Sequence, residues 1–193
     1  PAVVLLDEVE QMGIAREGQI HEVTMRVVSI LNTWLADKNR RAFVVATCNY
    51  PEQLDPAFIR YGRFDARLPF LYPNESARRQ ILEIHLFKLR KLKADVDVDL
   101  IVKKTHLYSG AELETIVERA IDYALQELDS NPRRRTLKIT TDHMLMALKT
   151  VRINYDKRRK TMERYIRIAR EFGTDEIVLR QIENEYVKPL SAK

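Results

Sequence analysis

Two short apolar runs near the beginning of the chain are each followed at once by polar residues. The first, Ala2–Leu6, is rich in valine and leucine, and Ala42–Ala46 repeats this pattern. Continuous runs of this kind are typical of strands that are buried on both faces of a parallel sheet. Between them, residues 21–36 place apolar side chains on one helical stripe, which predicts an amphipathic helix. The order strand, helix, strand predicts half of an open α/β sheet.

A further helix and a further strand are predicted next along the chain. The helix is expected over 54–60, because Asp55 is a suitable N-cap and Pro56 suits the first helical position. Gly62 is placed to end this helix. A third short strand is expected over 67–71, so that the first part of the chain predicts the order β-α-β-α-β.

Beyond residue 73 the strand pattern nearly disappears and helical spacing dominates. Ser109 is followed three residues later by Glu112, which is the spacing of a capping box at a helix start. Thr141 is expected to cap a later helix, and Gly173 to end another. Helices are predicted over 76–92, 97–105, 109–128, 142–148, 156–172 and 176–186, with a short extended piece over 137–139.

These patterns divide the chain into three predicted segments. Residues 1–73 form part of an α/β domain, 74–150 form a small helical domain, and 151–193 form a basic helical extension. A proline followed by polar residues marks the first of the two boundaries.

Charge and cysteine content say more about the cellular compartment of the protein than about its function. The net charge is +5, and 45% of the residues are hydrophobic, which suits a globular protein with solvated helices. A modest basic excess permits binding of nucleic acid, but is more often an ordinary charged surface. The single cysteine, Cys48, excludes an internal disulfide and fits a reducing compartment, the cytoplasm or the nucleus. No apolar run approaches the roughly 20 residues that span a membrane.

Asp7 and Glu8 directly follow the first predicted strand. Open α/β sheets bind their ligands at the carboxyl ends of the strands, so these carboxylates are predicted to face a ligand. Asp7 could hold Mg²⁺, directly or through water, and Glu8 could polarise an attacking water. Taken alone, a strand that simply ends in a charged turn is an equally good interpretation.

Asn49 occupies the corresponding position after the second predicted strand. If the two strands are neighbours, the side chain of Asn49 lies beside Glu8. A neutral amide at that place can orient a water molecule or contact a γ-phosphate. The alternative interpretation is an asparagine that forms a turn.

Arg60 and Arg63 lie three residues apart in the segment Asp-Pro-Ala-Phe-Ile-Arg-Tyr-Gly-Arg-Phe-Asp. Phosphoryl transfer is accelerated by planar, permanently charged guanidinium groups, which a neighbouring subunit often supplies. The alternative interpretation is that the two arginines form ordinary ion pairs at the surface. The many distinctive residues close together in this segment make that alternative the weaker one.

These three blocks, in this order and spacing, resemble the classical AAA clade of AAA+ ATPases. In this resemblance Asp7 and Glu8 match the Walker B motif, Asn49 matches sensor 1, and Arg60 and Arg63 match two arginine fingers. The resemblance implies an AAA+ three-layer α/β core, incomplete here, followed by an all-α helical lid domain and a helical C-terminal tail. It extends over most of the chain, but the last twenty residues match nothing that we can name.

The helical part carries the same resemblance. The segment Ile-Leu-Glu-Ile-His that ends at His85 is similar to the start of the family's lid, where the histidine lies near the ribose and base. The segment Ser-Gly-Ala-Glu-Leu that begins at Ser109 is similar to the family's Ser-Gly-Ala-Asp-Leu. This implies that Gly110 and Ala111 approach the nucleotide at a helix N-terminus. The loop 16–22 matches the position of the family's second pore loop, and an ordinary surface loop is an equal alternative.

The chain contains no Gly-x-x-x-x-Gly-Lys-Ser/Thr motif. That loop supplies most of the phosphate binding in this family and precedes Walker B there. Because the chain also starts without methionine, directly at an apolar strand, we expect it to be part of a longer ATPase that uses ATP and Mg²⁺. We expect the chain alone to be inactive, and strands that lack neighbours to expose apolar faces.

The resemblance implies a motor in which ATP hydrolysis remodels, unfolds or disassembles protein substrates. Such a motor works as a ring, here expected to be a hexamer, with arginine fingers acting in trans. One alternative is a non-catalytic module that binds or scaffolds a ring. Another is an ATPase that remodels nucleic acid, suggested by the basic helix over 156–172 and less favoured because few aromatic residues alternate with its charges.

Overall fold

The structure is a computed structural model that describes residues 2–12, 22–60, 62–88, 93–130 and 136–187. The chain forms two compact units, each with its own hydrophobic core. The first holds Pro1–Pro69 and Ile166–Gln181, and the second holds Phe70–Tyr165 and Ile182–Lys193. The expected pore loop, apart from Glu22, lies outside the described residues, as do Tyr61 and residues 89–92 of the expected helix over 76–92. The division into three segments stays a prediction.

The first unit is built on two parallel strands, β1 (Ala2–Leu6) and β2 (Ala42–Ala46), joined by helix α1 (Glu22–Ala36). Their register pairs the first residues of the two strands with each other and likewise the last. A 3₁₀ helix, Val9–Met12, follows β1 directly. The predicted strand, helix, strand order is therefore confirmed, and both strands end at the same edge of the sheet.

One face of this small sheet is packed and the other is exposed. Val28 and Leu35 of α1 are buried with Phe58, and Val44 of β2 packs against this cluster. On the other side, exposure reaches 75% at Val3 and 70% at Phe43. Burial on both faces was therefore a wrong expectation for this chain, because α1 covers only one side. The expectation of exposed apolar faces is confirmed.

Two predicted elements of the first unit do not form. Residues 54–60 fold as turns, after a short 3₁₀ helix at Pro51–Gln53, instead of a helix. Asp55 does accept a hydrogen bond from the Ala57 amide at 2.7 Å, but the backbone bonds that follow span three residues. The segment is too short, because isolated helices of this length are only marginally stable. Residues 67–71 are likewise not a strand, because they join no ladder within the described residues.

The second unit is mainly helical. Its elements are α2 (Glu75–Lys88), β3 (Lys93–Asp95), α3 (Val98–Lys104), α4 (Gly110–Ser130), β4 (Lys138–Thr140) and α5 (Thr141–Thr150). The expected extended piece is confirmed as β4, which pairs in parallel with β3. The strand β3 was not predicted, because three residues reading Lys-Ala-Asp carry no apolar strand pattern. Leu82, Ile101, Leu113 and Met144 are fully buried in the core of this unit.

Helix caps in the second unit follow the predicted chemistry, with one shift of position. Ser109 and Glu112 form the expected capping box of α4, with the Glu112 carboxylate 2.8 Å from the Ser109 amide. The cap of α5 is Thr140 and not Thr141. The reason is that the His143 ring, three residues on, accepts from the Thr140 amide at 3.2 Å and completes a capping box there.

The last described elements are helix α6 (Tyr155–Glu171), helix α7 (Glu176–Ile182) and a π-helical turn, Glu183–Val187. The expected helix end at Gly173 is confirmed, since its φ of 68° lies in the left-handed region that favours glycine. The amides of Gly173 and Thr174 turn back to carbonyls of the last turn of α6, which satisfies them.

Candidate active site

The carboxyl ends of β1 and β2 bring together the residues that were predicted to be catalytic. Asp7 and Glu8 follow β1, and Asn49 follows β2 after two intervening residues. The side-chain amide of Asn49 donates to Oε1 of Glu8 at 3.2 Å. Asp7, Glu8 and Asn49 are all exposed. The site is therefore open to a ligand at the edge of the sheet where α/β folds bind one.

Thr47 connects both acidic residues to β2. Its hydroxyl donates to Oδ1 of Asp7 and accepts from the backbone amide of Glu8 at 2.9 Å. Its backbone amide donates to the carbonyl of Leu6 at 2.9 Å, and its carbonyl accepts from the Val9 amide at 3.0 Å. The parallel ladder thus continues one residue beyond the strands. Two hydrogen bonds of Thr47 hold the acidic pair itself, and two more hold the residues on either side of the pair.

Glu8 has a left-handed backbone, with a φ of 50°. This region is uncommon for residues other than glycine, because the side chain approaches the neighbouring carbonyl oxygen. Strain of this kind persists only where surrounding contacts fix the conformation, and it concentrates at functional sites. Here the amides of Glu8 and Val9 are both bound by Thr47.

A buried carboxylate, Glu10, lies behind this edge with only 1% of its surface exposed. Its Oε1 accepts from the Asn49 amide at 2.8 Å, whereas its Oε2 has no hydrogen-bond partner among the described residues. Burial acts to raise the pKa of Glu10, but hydrogen bonds led by the Asn49 amide outweigh it and hold that pKa below its ordinary value. Glu10 was not predicted, because its burial depends on packing that the local sequence does not show.

Cys48 lies between Thr47 and Asn49 and is half-buried. Burial, together with the neighbouring Glu10 carboxylate, raises the pKa of its thiol to about 12. The thiol is therefore neutral at physiological pH, which is typical of a packing residue rather than a nucleophile.

The two predicted arginine fingers have different surroundings. Arg60 is exposed, whereas Arg63 is half-buried and donates to Oδ1 of Asn32 at 3.0 Å and to the Ala57 carbonyl. Arg40 in turn donates to the Arg63 carbonyl at 3.4 Å. The structure therefore does not direct both guanidinium groups outward, and Arg63 fastens its own turn to α1.

The residues predicted to contact the nucleoside all lie in the second unit. His85, on α2, places Nδ1 3.4 Å from a carboxylate oxygen of Glu114 on α4. Gly110 and Ala111 form the first turn of α4, and Ala111 is exposed. A methyl group added to Gly110 would lie 3.9 Å from its nearest neighbour, a side-chain carbon of Ile81, which is ordinary van der Waals contact. The free structure alone thus gives no steric reason for this glycine.

Several basic side chains of helix α6 form ion pairs with acidic side chains. Arg158 pairs with Glu112 and also lies over the ring of Tyr72, 4.6 Å from its centre. Arg159 pairs with Asp156, and Arg167 with Glu171. The helix presents a mixed face rather than a continuous run of unpaired cations, which weakens the interpretation as a phosphate-tracking surface.

Asp7 fits a magnesium ion that keeps most of its water. The described residues contain no group of three or more His, Cys, Asp or Glu side chains that could cage a metal. Mg²⁺ typically binds through one or two carboxylates together with waters and substrate phosphates, so a single exposed aspartate suits it.

Two profiles of known families match the chain. Residues 1–72 match the ATPase family associated with various cellular activities (AAA), and residues 95–144 match the AAA+ lid domain. The cell division cycle protein 48 homolog of Archaeoglobus fulgidus is 33% identical over 184 residues, covering 89% of this chain and 25% of that protein. The crystal structure of the FIGL-1 AAA domain has a TM-score of 0.71 at 21% identity, covering 89% of this chain and 57% of that one.

A parallel strand pair with acidic residues and an asparagine at its edge, followed by a helical lid, defines an AAA+ module. The chain belongs to the AAA family of ATPases, as the two profiles and the archaeal relative show. It spans a quarter of the length of that relative. None of the helices in the described part of the chain is long and apolar enough to cross a membrane.

Proposed function

We propose that this chain supplies the Walker B, sensor 1 and lid elements of an ATPase that hydrolyses MgATP. The observation that carries the proposal is the hydrogen bond between Asn49 and Glu8, at the sheet edge where the family places the γ-phosphate. A carboxylate oxygen and a neutral amide side by side are the pair needed to hold and deprotonate one water molecule.

In this proposal Glu8 is the general base and Asn49 orients the water or senses the γ-phosphate. Asp7 holds Mg²⁺ through water, and the ion supplies neutralisation of phosphate charge when it is bound. The Thr47 hydroxyl accepts a hydrogen bond from the Glu8 amide, so the base is anchored through its backbone, while its exposed carboxylate, bonded to Asn49, faces the water. The phosphates themselves need a P-loop, which this chain does not contain.

His85, Gly110 and Ala111 are proposed to contact the ribose and base from the lid. Gly110 and Ala111 are supported by their place in the segment that matches the AAA+ lid domain, at the start of α4. His85 lies on α2, and its contact with Glu114 of α4 orients the ring within the same unit.

We further propose that the whole protein works as a ring, a hexamer by family resemblance, in the cytoplasm or nucleus, with a protein as substrate. Arg60 is exposed and acts on the site of a neighbouring subunit. Arg63 either leaves its hydrogen bond to Asn32 and acts with Arg60, or keeps that bond and supports the turn that carries Arg60. The paired charges of α6 disfavour nucleic acid as substrate. A scaffold without catalysis is disfavoured by the retained Glu8 and Asn49 pair.

MgATP binding and steady-state hydrolysis test the proposal, measured on the 193-residue chain and on the full-length protein that contains it. The chain alone is expected to show neither. The full-length protein is expected to turn over, and Glu8→Gln to lower kcat by about 10²–10⁴-fold with nucleotide binding kept. Unchanged turnover in Glu8→Gln would show that another group is the base.

A further inference from the structure

We infer that Thr47 is a positioning residue for hydrolysis, holding Asp7 and Glu8 in their working geometry through its side-chain hydroxyl. This inference rests on the proposed function. The first observation is that one hydroxyl makes two bonds, one donated to Oδ1 of Asp7 and one accepted from the Glu8 amide at 2.9 Å. A threonine hydroxyl has one hydrogen and two lone pairs, so both bonds are satisfied at once.

The second observation is the backbone of Glu8. A left-handed φ of 50° is disfavoured for glutamate, and a loop free to relax leaves it. In the neighbouring extended region, the Glu8 amide and side chain point in other directions. The hydroxyl of Thr47 binds the amide in the left-handed form and therefore favours the conformation in which Glu8 Oε1 reaches Asn49 at 3.2 Å.

The third observation is that the two roles of Thr47 are separable. Its backbone bonds to Leu6 and Val9 extend the strand ladder and do not depend on its side chain. The side chain is exposed, so it contributes little to the core of the unit. Valine has the same shape without the hydroxyl, and serine keeps the hydroxyl without the methyl group. Substitution can therefore remove the positioning bonds while the fold is retained.

The experiment compares Thr47→Val and Thr47→Ser in two settings. In the 193-residue chain, amide hydrogen exchange of Glu8 is followed by NMR, and Thr47→Val is expected to speed it about tenfold. In the full-length ATPase, Thr47→Val is expected to lower kcat about tenfold or more, with KM for MgATP within about twofold of the parent value. Thr47→Ser is expected to restore most of both quantities.

Thr33→Val is the matched control, because its exposed hydroxyl only bonds back to the Ser29 carbonyl within α1. It is expected to change neither quantity. If Glu8→Gln abolishes turnover while Thr47→Val leaves kcat unchanged, the role of Thr47 is wrong and the proposed function stands. If Glu8→Gln leaves turnover intact, the proposed function fails first. If Thr47→Val and Thr33→Val both speed exchange and both lower kcat and the melting temperature, Thr47 is only structural.

Discussion

The side-chain amide of Asn49 donates a hydrogen bond to a carboxylate oxygen of Glu8, although the two residues are 41 positions apart in the chain. Their proximity follows from topology, because parallel strands that start in register also end together. The proposed base and the proposed water-orienting amide are thereby placed side by side.

This pairing predicts that Glu8 and Asn49 act as one unit. In the full-length ATPase, Asn49→Ala is expected to lower kcat by about 10²-fold, since a donor to the reacting centre is lost. Combined with Glu8→Gln, it is expected to add little further loss, because residues that act together are strongly non-additive. Steady-state kinetics of the two single variants and the double variant measure this. Fully additive losses would show that the two side chains act independently.

The neighbourhood of Glu8 and Asn49 was predictable, whereas the groups that hold them were not. Apolar runs at Ala2–Leu6 and Ala42–Ala46 carry strand information in their own composition, and the edge they share follows from a parallel pairing. The burial of Glu10 depends on what packs around it, and no local pattern encodes that. The direction of Arg63 depends on Asn32, which is 31 residues away.

Predictions from local sequence were wrong where the same residue pattern is compatible with more than one backbone conformation. Asp55 and Pro56 start helices, but they start turns equally well, and the segment that follows is too short to form a stable helix. The strand β3 shows the opposite failure, since three polar and small residues pair only because β4 lies beside them.

Glu10 is predicted to stabilise the first unit in a pH-dependent way. Glu10→Gln keeps the shape but weakens the bond from the Asn49 amide, and is expected to cost about 1.5–3 kcal/mol at pH 7. The pKa of Glu10 is lowered by folding, so its contribution is present above pH 4.5 and is lost as the pH falls through the folded-state value. Urea unfolding between pH 3 and 7 checks this. A pH dependence of the same steepness in Glu10→Gln would assign the effect to other carboxylates.

Substitutions of Arg60 and Arg63 are predicted to affect different properties, turnover for Arg60 and stability for Arg63. Arg63→Ala removes donors to Asn32 and to the Ala57 carbonyl and is expected to destabilise the chain by about 1–3 kcal/mol. Arg60→Ala is expected to leave the unfolding free energy within about 0.5 kcal/mol, because Arg60 is exposed. In the full-length protein, Arg60→Ala is nevertheless expected to lower turnover about 10³-fold, as for an arginine finger.

Mixing experiments assign the Arg60 effect to a neighbouring subunit. Arg60→Ala subunits are mixed with Glu8→Gln subunits, each inactive alone, and regained activity indicates that the arginine acts across an interface. Absence of any regained activity, with mixed rings demonstrated, would place Arg60 in the site of its own subunit.

Cys48 is predicted to be a slow thiol in the folded chain. Burial raises its pKa to about 12 from an ordinary value of 9.0, so little thiolate exists at pH 8. Alkylation by iodoacetamide at pH 8 is expected to be at least about tenfold slower than in the urea-unfolded chain. Because the folded pKa is the higher one, the stabilisation is complete below pH 9 and is lost as the pH rises toward 12. Equal rates in the folded and unfolded chain would contradict the burial of this thiol.

The last π-helical turn is predicted to fasten the start of the second unit through Tyr186. Its hydroxyl donates to the Tyr72 carbonyl at 2.8 Å, and the side chain of Asn74 donates to the adjacent Glu185 at 2.9 Å. Tyr186→Phe removes one bond and leaves a carbonyl without its donor, so a loss of about 1 kcal/mol is expected in urea unfolding.

The free energy of unfolding at alkaline pH provides an independent check on the role of Tyr186. Burial raises the pKa of Tyr186 above its ordinary value of 10.0, so folding favours the neutral phenol. The stabilisation is complete below pH 10 and is lost as the pH rises through the folded-state value, and Tyr186→Phe is expected to flatten this loss. Tyr108→Phe is a comparison variant and not a silent control. The Tyr108 hydroxyl binds the Val151 carbonyl at 2.8 Å and burial raises its pKa to about 12, so this variant too is expected to flatten the alkaline loss. A Tyr186→Phe variant that is as stable as the parent both below pH 10 and above it would show that the turn is held by Glu185 alone.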